Sequence, residues 1–426
     1  IGCSPKASDI YITTNKETYK EGELFFGTIS EGLNAVTQLR NEGNKKALTL
    51  HIMEGEHRIN APIRISPELG PLKLIGDGVG KSVIKGSKLL NPKWEKFNDH
   101  IWMAQLEKEE GFDQLFVNGN KQILARYPNY DEKGGHWQGH AEDAISPERI
   151  KTWGNPAGVI VHAMHSGEWG GFHYVSTGVD ENGELKLSGG HQNNRPSPMH
   201  AKYRMVENVF EELDAPGEWF LDGELKLYYR PAEGTDMSNA TVEGVQQKHL
   251  LEIVGSEENP VRDIEVSNIR FEHAQHTFME KYEPLLRSDW TIYRGAAIFV
   301  EGTQNVKIRN CELTNLGGNA ILASNYNRDL IIAENHIHDC GASGISFVGS
   351  PEAVRSPSFQ YEEFVPLAEL DTVAGPKSNK YPSNSIAENN LINRIGRVEK
   401  QTAGVQIAMA MDITVSHNSI YDVPRA

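Results

Sequence analysis

The chain has 426 residues, with 42 Lys and Arg against 58 Asp and Glu, and the resulting formal charge of −16 argues against a nucleic-acid-binding surface. A hydrophobic content of 38% with forty glycines and twenty prolines describes a turn-rich folded protein, not a disordered one, and no apolar run reaches the length of about eighteen that spans a bilayer. The length admits two or three domains, or one long repeat domain carrying an insertion.

The opening Ile1-Gly2-Cys3-Ser4 reads either as the tail of a bacterial lipoprotein signal, with Cys3 as a lipid anchor and an extracytoplasmic location at the periplasm or cell surface, or as a free cysteine in a flexible start over residues 1–20. Cys311 and Cys340 complete a set too small for a disulfide framework and without C-x-x-C spacing. They suit core or turn packing.

From residue 30, SEGLNAVTQLR places Leu33, Val36 and Leu39 at helical spacing after Ser30 as a cap. Short strands follow at LTLHIM (48–53) and IRI (63–65), so the helix covers the open edge of a first coil within residues 21–93. The stretch GDGVG (76–80) falls in a turn there and lacks the strand-to-helix context of a phosphate loop. Over residues 94–244 aromatic hairpin patterns take over, such as QLFVNGNKQIL (114–124) with its Asn118-Gly119 turn and WFLDGELKLYY (219–229), and predict an inserted antiparallel β domain.

From residue 245 to 426 a repeat governs. VKIRNCELTNLG (306–317) matches LIIAENHIHDCG (330–341) 24 residues later, and the same alternation returns at residues 264–273, 391–393 and 413–422. Each copy is short, rich in β-formers and punctuated by Gly, Asn and Asp, as one coil of a parallel β-solenoid would be. Asn335, Asn389 and Asn418 fall at one phase and predict a stacked ladder. Residues 349–382 interrupt one coil as a second insertion. The predicted fold is all-β: a right-handed parallel β-helix with an N-terminal capping helix and an inserted antiparallel β domain, its coils incomplete at the C-terminal end.

FDQLFVNGNKQILARYPN (112–129), DAPGEWFLD (214–222) with Tyr228, Tyr229 and Pro231, and the later coils resemble bacterial β-helix glycoside hydrolases, nearest to glycoside hydrolase family 141, whose activities include α-L-fucosidase and xylanase. The resemblance implies hydrolysis of a plant or algal polysaccharide, without a cofactor, and further catalytic acids in coils beyond residue 426. It assigns no family catalytic residue to a position here.

The residues themselves suggest where sugar chemistry could sit. Aligning the second strands on Gly295, Gly318, Gly344 and Gly404 predicts Ala297, Ala320, Ile345, Val405, Phe299, Leu322, Phe347 and Ile407 inside, and Ile298, Ile321, Ser346 and Gln406 outside on a groove. RVEKQT (397–402) brings Arg397, Glu399 and Lys400 to that groove's edge, and Asp422 and Arg425 lie in a later turn. Strands of neighbouring coils lie about 4.8 Å apart, so acids in adjacent coils match the roughly 5 Å spacing of retaining glycosidases and acids two coils apart the wider inverting one. Glu399 and Asp422 are the candidate catalytic carboxylates. RSDWTIYRG (287–295) supplies Asp289, Trp290, Tyr293 and Arg294 as candidate sugar-binding groups, with Arg397, Lys400 and Gln406.

Each of these has a plainer reading: Glu399 as an ion-pair partner of Lys400 or Arg397, Trp290 as packing beneath the insertion. His136, His140, His162, His165 and His173, with Trp169, form the densest histidine region, but no helical H-x-x-x-H supports a metal there. A polysaccharide lyase, using Lys400 or Arg425 as base with calcium, and a non-catalytic glycan-binding surface protein are the alternatives.

Overall fold

The computed structural model describes residues 8–20, 22–108, 111–286 and 290–425. Its body is a right-handed parallel β-helix whose strands form three rows. The first holds Asp9–Ile12, Leu48–Ile52, Leu72–Gly76, Val261–Ser267, the end of Ile298–Arg309, Ile331–Ala333, Pro382–Glu388 and Met411–Ser416. The second holds Ile63–Ile65, Leu251–Val254, the start of Ile298–Arg309, Ile321–Arg328, Ile345–Val348 and Val405–Ala408. Gly55–Arg58, Ser82–Lys85, Arg270–Ala274, Glu312–Leu316, His336–His338, Leu391–Asn393 and Ser419–Tyr421 make the third. Their inward aliphatic residues build one core running through the coils, which encloses Cys311 and Cys340 as free thiols.

The helix Ile29–Asn41 covers the first coil, but its cap is Thr28, not Ser30. Thr28 Oγ1 accepts from Glu31 N at 3.2 Å while the Glu31 carboxylate accepts from Thr28 N at 3.0 Å, a capping box that starts the helix two residues earlier. Gly32 lets the helix close on the core: a Cβ there would lie 2.4 Å from Ile12 Cδ1 and 2.8 Å from Leu50 Cδ1.

Between the first and third rows the chain turns on one residue of positive φ, at Asn268, Asn310, Glu334, Asn389 and His417. The residue after it carries the ladder: Asn335 Nδ2 donates to Asn390 Oδ1 at 3.0 Å and Asn390 Nδ2 to Asn418 Oδ1 at 2.9 Å. The stacked residue is therefore Asn390, not Asn389, which supplies the left-handed turn.

The outward face also differs from expectation. Ile298, Ile321, Ile345 and Val405 are paired neighbours and point inward, so Phe299, Leu322, Ser346 and Gln406 form the outward row. Counted from the glycine, the inward residue is the third in two coils and the first in the other two, a difference of two that keeps the face, whereas matching Ala297 and Ala320 to Ile345 and Val405 displaces the first two coils by one. A one-residue slip exchanges the faces. Alternation could not reveal it, because the outward Phe299 and Leu322 are themselves apolar and are covered by Leu285, Trp290 and Ile292.

The inserted domain leaves and rejoins the helix through the antiparallel strands Ser87–Leu90 and Val242–Val245. Asn118 and Gly119, both at positive φ, make the expected tight turn between Leu115–Val117 and Asn120–Lys121. A second sheet, built on Met199–Glu207, Ala157–His165 and Gly171–Val179, carries the histidine-rich strands against the β-helix.

Candidate active site

At the end of each of the last five third-row strands, or just past it, stands a residue of positive φ, and these residues, His273, Asn315, Asp339, Arg394 and Asp422, stack coil on coil. Asn315, Asp339 and Arg394 form one wall of a cavity of about 610 Å³, continued by Arg397 and Val398. The inserted domain supplies the other wall with Lys121, Arg126, Tyr130, Trp137, His162, Glu207 and Trp219. An adjoining pocket of about 340 Å³ shares Asp113, Glu207, Trp219 and His276. Carboxylates, guanidinium forks and indole faces around a volume of this size suit a polar ring-shaped ligand.

Two of the carboxylates are held ionised. Burial pushes Glu207 upward, but His162, whose Nε2 lies 3.0 Å from Glu207 Oε1, together with the charges of His276 and Arg126, outweighs it and brings the carboxyl down to about 2. Asp339 also reaches about 2: burial is overcome by His338 Nδ1 at 2.8 Å and Arg394 Nε at 2.7 Å. Asp339 thus spends both oxygens on cations, whereas Glu207 commits Oε1 to His162.

The turn over residues 396–402 distributes its side chains among three environments. Arg397 and Val398 face the cavity, and Val398 O accepts from Trp137 Nε1 at 2.8 Å. Lys400 lies over the Trp137 ring, lines a lower cleft of about 390 Å³ and donates to Gly396 O at 2.8 Å; burial, with the charges of Arg397 and Arg126, lowers it to about 7. Glu399 turns the other way, against Tyr282, and burial raises its carboxyl to about 7, with the tyrosine hydroxyl opposing. Neither Glu399 Oε1 nor Tyr282 Oη completes a hydrogen bond, and the buried polar atoms of Gln401, Thr402 Oγ1, Ser346 Oγ and Asn193 Nδ2 are likewise without a partner. Gln401 Oε1 and Asn193 Nδ2 converge beside Gly170.

The expected site residues therefore part company. Asp422 lines the lower cleft with His136, His140, Tyr203, Arg397 and Lys400, away from the buried Glu399. Gln406 is buried on the outward row. Arg294 is saturated: it donates to the Glu283 carboxylate, Ser324 Oγ, Asn325 Oδ1, Val348 O and Gly349 O, and so pins the hairpin of Tyr282–Pro284 and Thr291–Tyr293 to the β-helix. Tyr293 Oη meets His249 Nε2 at 3.2 Å. Trp290 packs with Leu285, Ile292, Leu322 and Val348, with the Arg425 guanidinium over its ring. Asp289 and Cys3 lie outside the described residues.

Glu207, Asp339, Trp137 and His276 escaped the sequence reading. Asp339 occupies the same phase of the repeat as Asp422 and could have been found by that. Glu207 belongs to the insertion, where no repeat marks position. Within the histidine region, His162 and His173 meet through Nδ1 atoms 2.6 Å apart. The metal-type grouping among the described residues is elsewhere, at Glu312, His336 and His338.

These features define a right-handed β-helix with a charged, aromatic-lined cavity beneath an inserted domain. A family model described as a right-handed beta helix region matches residues 227–361. The chain superposes with a TM-score of 0.76 on a solved structure named as a glycoside hydrolase, at 18% identity over 98% of this chain and 78% of that one. XylC in complex with xylose aligns with a TM-score of 0.51 at 13% identity, over 97% of this chain and 59% of XylC, so the chain spans about three-fifths of XylC's length. At these identities the likeness establishes the fold. A search of curated protein sequences gives no match.

Proposed function

We propose that the chain is a carbohydrate-active enzyme that hydrolyses a glycosidic bond in a plant or algal polysaccharide, with the sugar entering the cavity between the inserted domain and the β-helix. The observation that carries this reading is the cavity of about 610 Å³ itself, in which the ionised Glu207 and Asp339 stand with Arg126, Arg394, Trp137 and Trp219 between the inserted domain and the coils. Glu207, which commits only Oε1 to His162, is cast as the carboxylate that attacks or that stabilises positive charge on the ring. The glycoside hydrolase among the structural likenesses supports the same class.

A lyase reading has one observation in its favour. Lys400, lowered to about 7 on the cleft that also holds Arg397, has the basicity of a proton-abstracting amine. Incubation with fucosylated, xylan, pectic and algal polysaccharides, following reducing ends and the ultraviolet absorbance of unsaturated sugars, tests both. Reducing ends without absorbance support the hydrolase, both signals together support the lyase, and neither signal from any substrate rejects the two enzyme readings.

A further inference from the structure

The third-row strands expose a column of side chains on the face away from the core, and one group in it has the chemistry of a metal site. We propose that Glu312, His336 and His338 bind a divalent transition-metal cation, for which zinc is the best fit. His336 and His338 lie two apart on one strand and so share a face, and Glu312 is the register partner of His336 in the preceding coil. All three are half-buried, and their ligand atoms lie within 4.8 Å of one another.

The surroundings fix the three side chains beside one another, with the two imidazole rings stacked at 4.1 Å between centroids. Arg270 Nε holds Glu312 Oε2 at 2.8 Å, which leaves Oε1 turned to His338 Nε2 at 3.1 Å. His338 Nδ1 is bonded to Asp339 Oδ2 at 2.8 Å, and the His336 ring bonds Asn393 Oδ1 at 3.0 Å through Nε2. A carboxylate behind one imidazole and an amide oxygen behind the other are the outer-shell contacts that fix ring orientation and tautomer at metal centres. Ligands around a tetrahedral zinc with bonds of about 2.0–2.1 Å stand roughly 3.3 Å apart, so Oε1 and Nε2 need to separate by a few tenths of an ångström. Two imidazoles and one carboxylate are a zinc donor set with a fourth position for water, and the nitrogen ligands disfavour calcium and magnesium.

Binding replaces the proton shared between His338 Nε2 and Glu312 Oε1, so metal uptake releases a proton. It also reaches the cavity. Asp339, which orients His338 through Oδ2, holds Arg394 through Oδ1 on the cavity wall.

The test is calorimetric titration of the chelator-treated chain with zinc chloride in two buffers of different ionisation enthalpy. The expected result is one saturable ion per chain with proton release, weakened roughly 100-fold in His336→Gln and in His338→Gln. Cobalt(II) should give the intense visible bands of a four-coordinate ion, lost in both variants. Absence of saturable binding, or wild-type affinity in either variant, overturns the proposal. Should a histidine variant fail to fold, Glu312→Gln decides by the same titration: at least about a 10-fold loss is expected, and unchanged affinity overturns the assignment.

Discussion

The Nδ1 atoms of His162 and His173 lie 2.6 Å apart in a buried layer, and the far nitrogen of His162 faces Glu207 Oε1 at 3.0 Å. A carboxylate needs a donor, so His162 Nε2 carries hydrogen. The two Nδ1 atoms must then be one donor and one acceptor. Burial and the neighbouring His162 hold His173 well below the usual imidazole range, which keeps it neutral. The chain Glu207–His162–His173 is therefore a continuous run of hydrogen bonds anchored by an ionised carboxylate.

Glu207→Gln should reveal that anchor in stability. The folded carboxyl sits near 2 against an ordinary 4.5, so its contribution is present above about 4.5 and is lost as pH falls through about 2. The stability difference between wild type and Glu207→Gln should grow by on the order of 2 kcal/mol between pH 2.5 and 6 in urea unfolding. A difference that stays flat with pH would show that His162 does not hold the carboxylate.

Glu399 has the opposite sign. Its folded carboxyl is raised to about 7, so the stability it contributes is full below about 4.5 and lost as pH rises through about 7. Glu399→Gln, a neutral replacement of the same shape, should be more stable than wild type at pH 8.5 by on the order of 2 kcal/mol. Turnover should change little in the variant, because Glu399 faces Tyr282 and not the cavity. A loss of turnover of about 100-fold or more beside the expected stability gain would instead make Glu399 the acid of the reaction.

Arg294 and Trp290 should act on folding instead of on sugar binding. The Arg294 donors are spent on Glu283, on the Ser324 and Asn325 side chains of one coil and on the Val348 and Gly349 carbonyls of the next, and lysine cannot reproduce that planar fork. Arg294→Lys should cost about 3 kcal/mol, and Trp290→Ala a similar amount through lost packing against Leu285, Ile292 and Leu322. Denaturant midpoints and oligosaccharide affinity should be measured together. A large loss of affinity with little change in midpoint would restore either residue to the binding surface.

The repeat made the β-helix legible because a solenoid's coils must present aliphatic residues at a constant phase to one core. The same constancy exposed Asp422 and, unnoticed, Asp339. What it could not supply was the face of the second row, since the outward Phe299 and Leu322 are apolar and covered, and so read as core. Nor could it place Glu207 or Trp137, which reach the cavity by folding of the inserted domain across more than 100 residues of sequence separation from Asp339. Glu399 stood out as an acid next to Lys400, but its burial against Tyr282 depends on a hairpin more than 100 residues earlier in the chain.

The asparagine ladder gives the sharpest test of phase. Asn390 accepts from Asn335 N at 3.1 Å and Asn335 Nδ2 at 3.0 Å, and donates to Ile332 O at 3.0 Å and Asn418 Oδ1 at 2.9 Å. All of these are lost in Asn390→Ala, which leaves buried amide groups unpaired and should cost about 2–4 kcal/mol. Asn389 contributes a left-handed backbone instead, a role that Glu334 and His417 fill in other coils. Asn389→Ala should therefore cost about 1 kcal/mol from backbone strain, and Asn389→Gly should lie near wild type because glycine takes positive φ freely. Urea midpoints of the three variants decide the assignment, and an Asn389→Ala loss equal to that of Asn390→Ala would return the ladder to position 389.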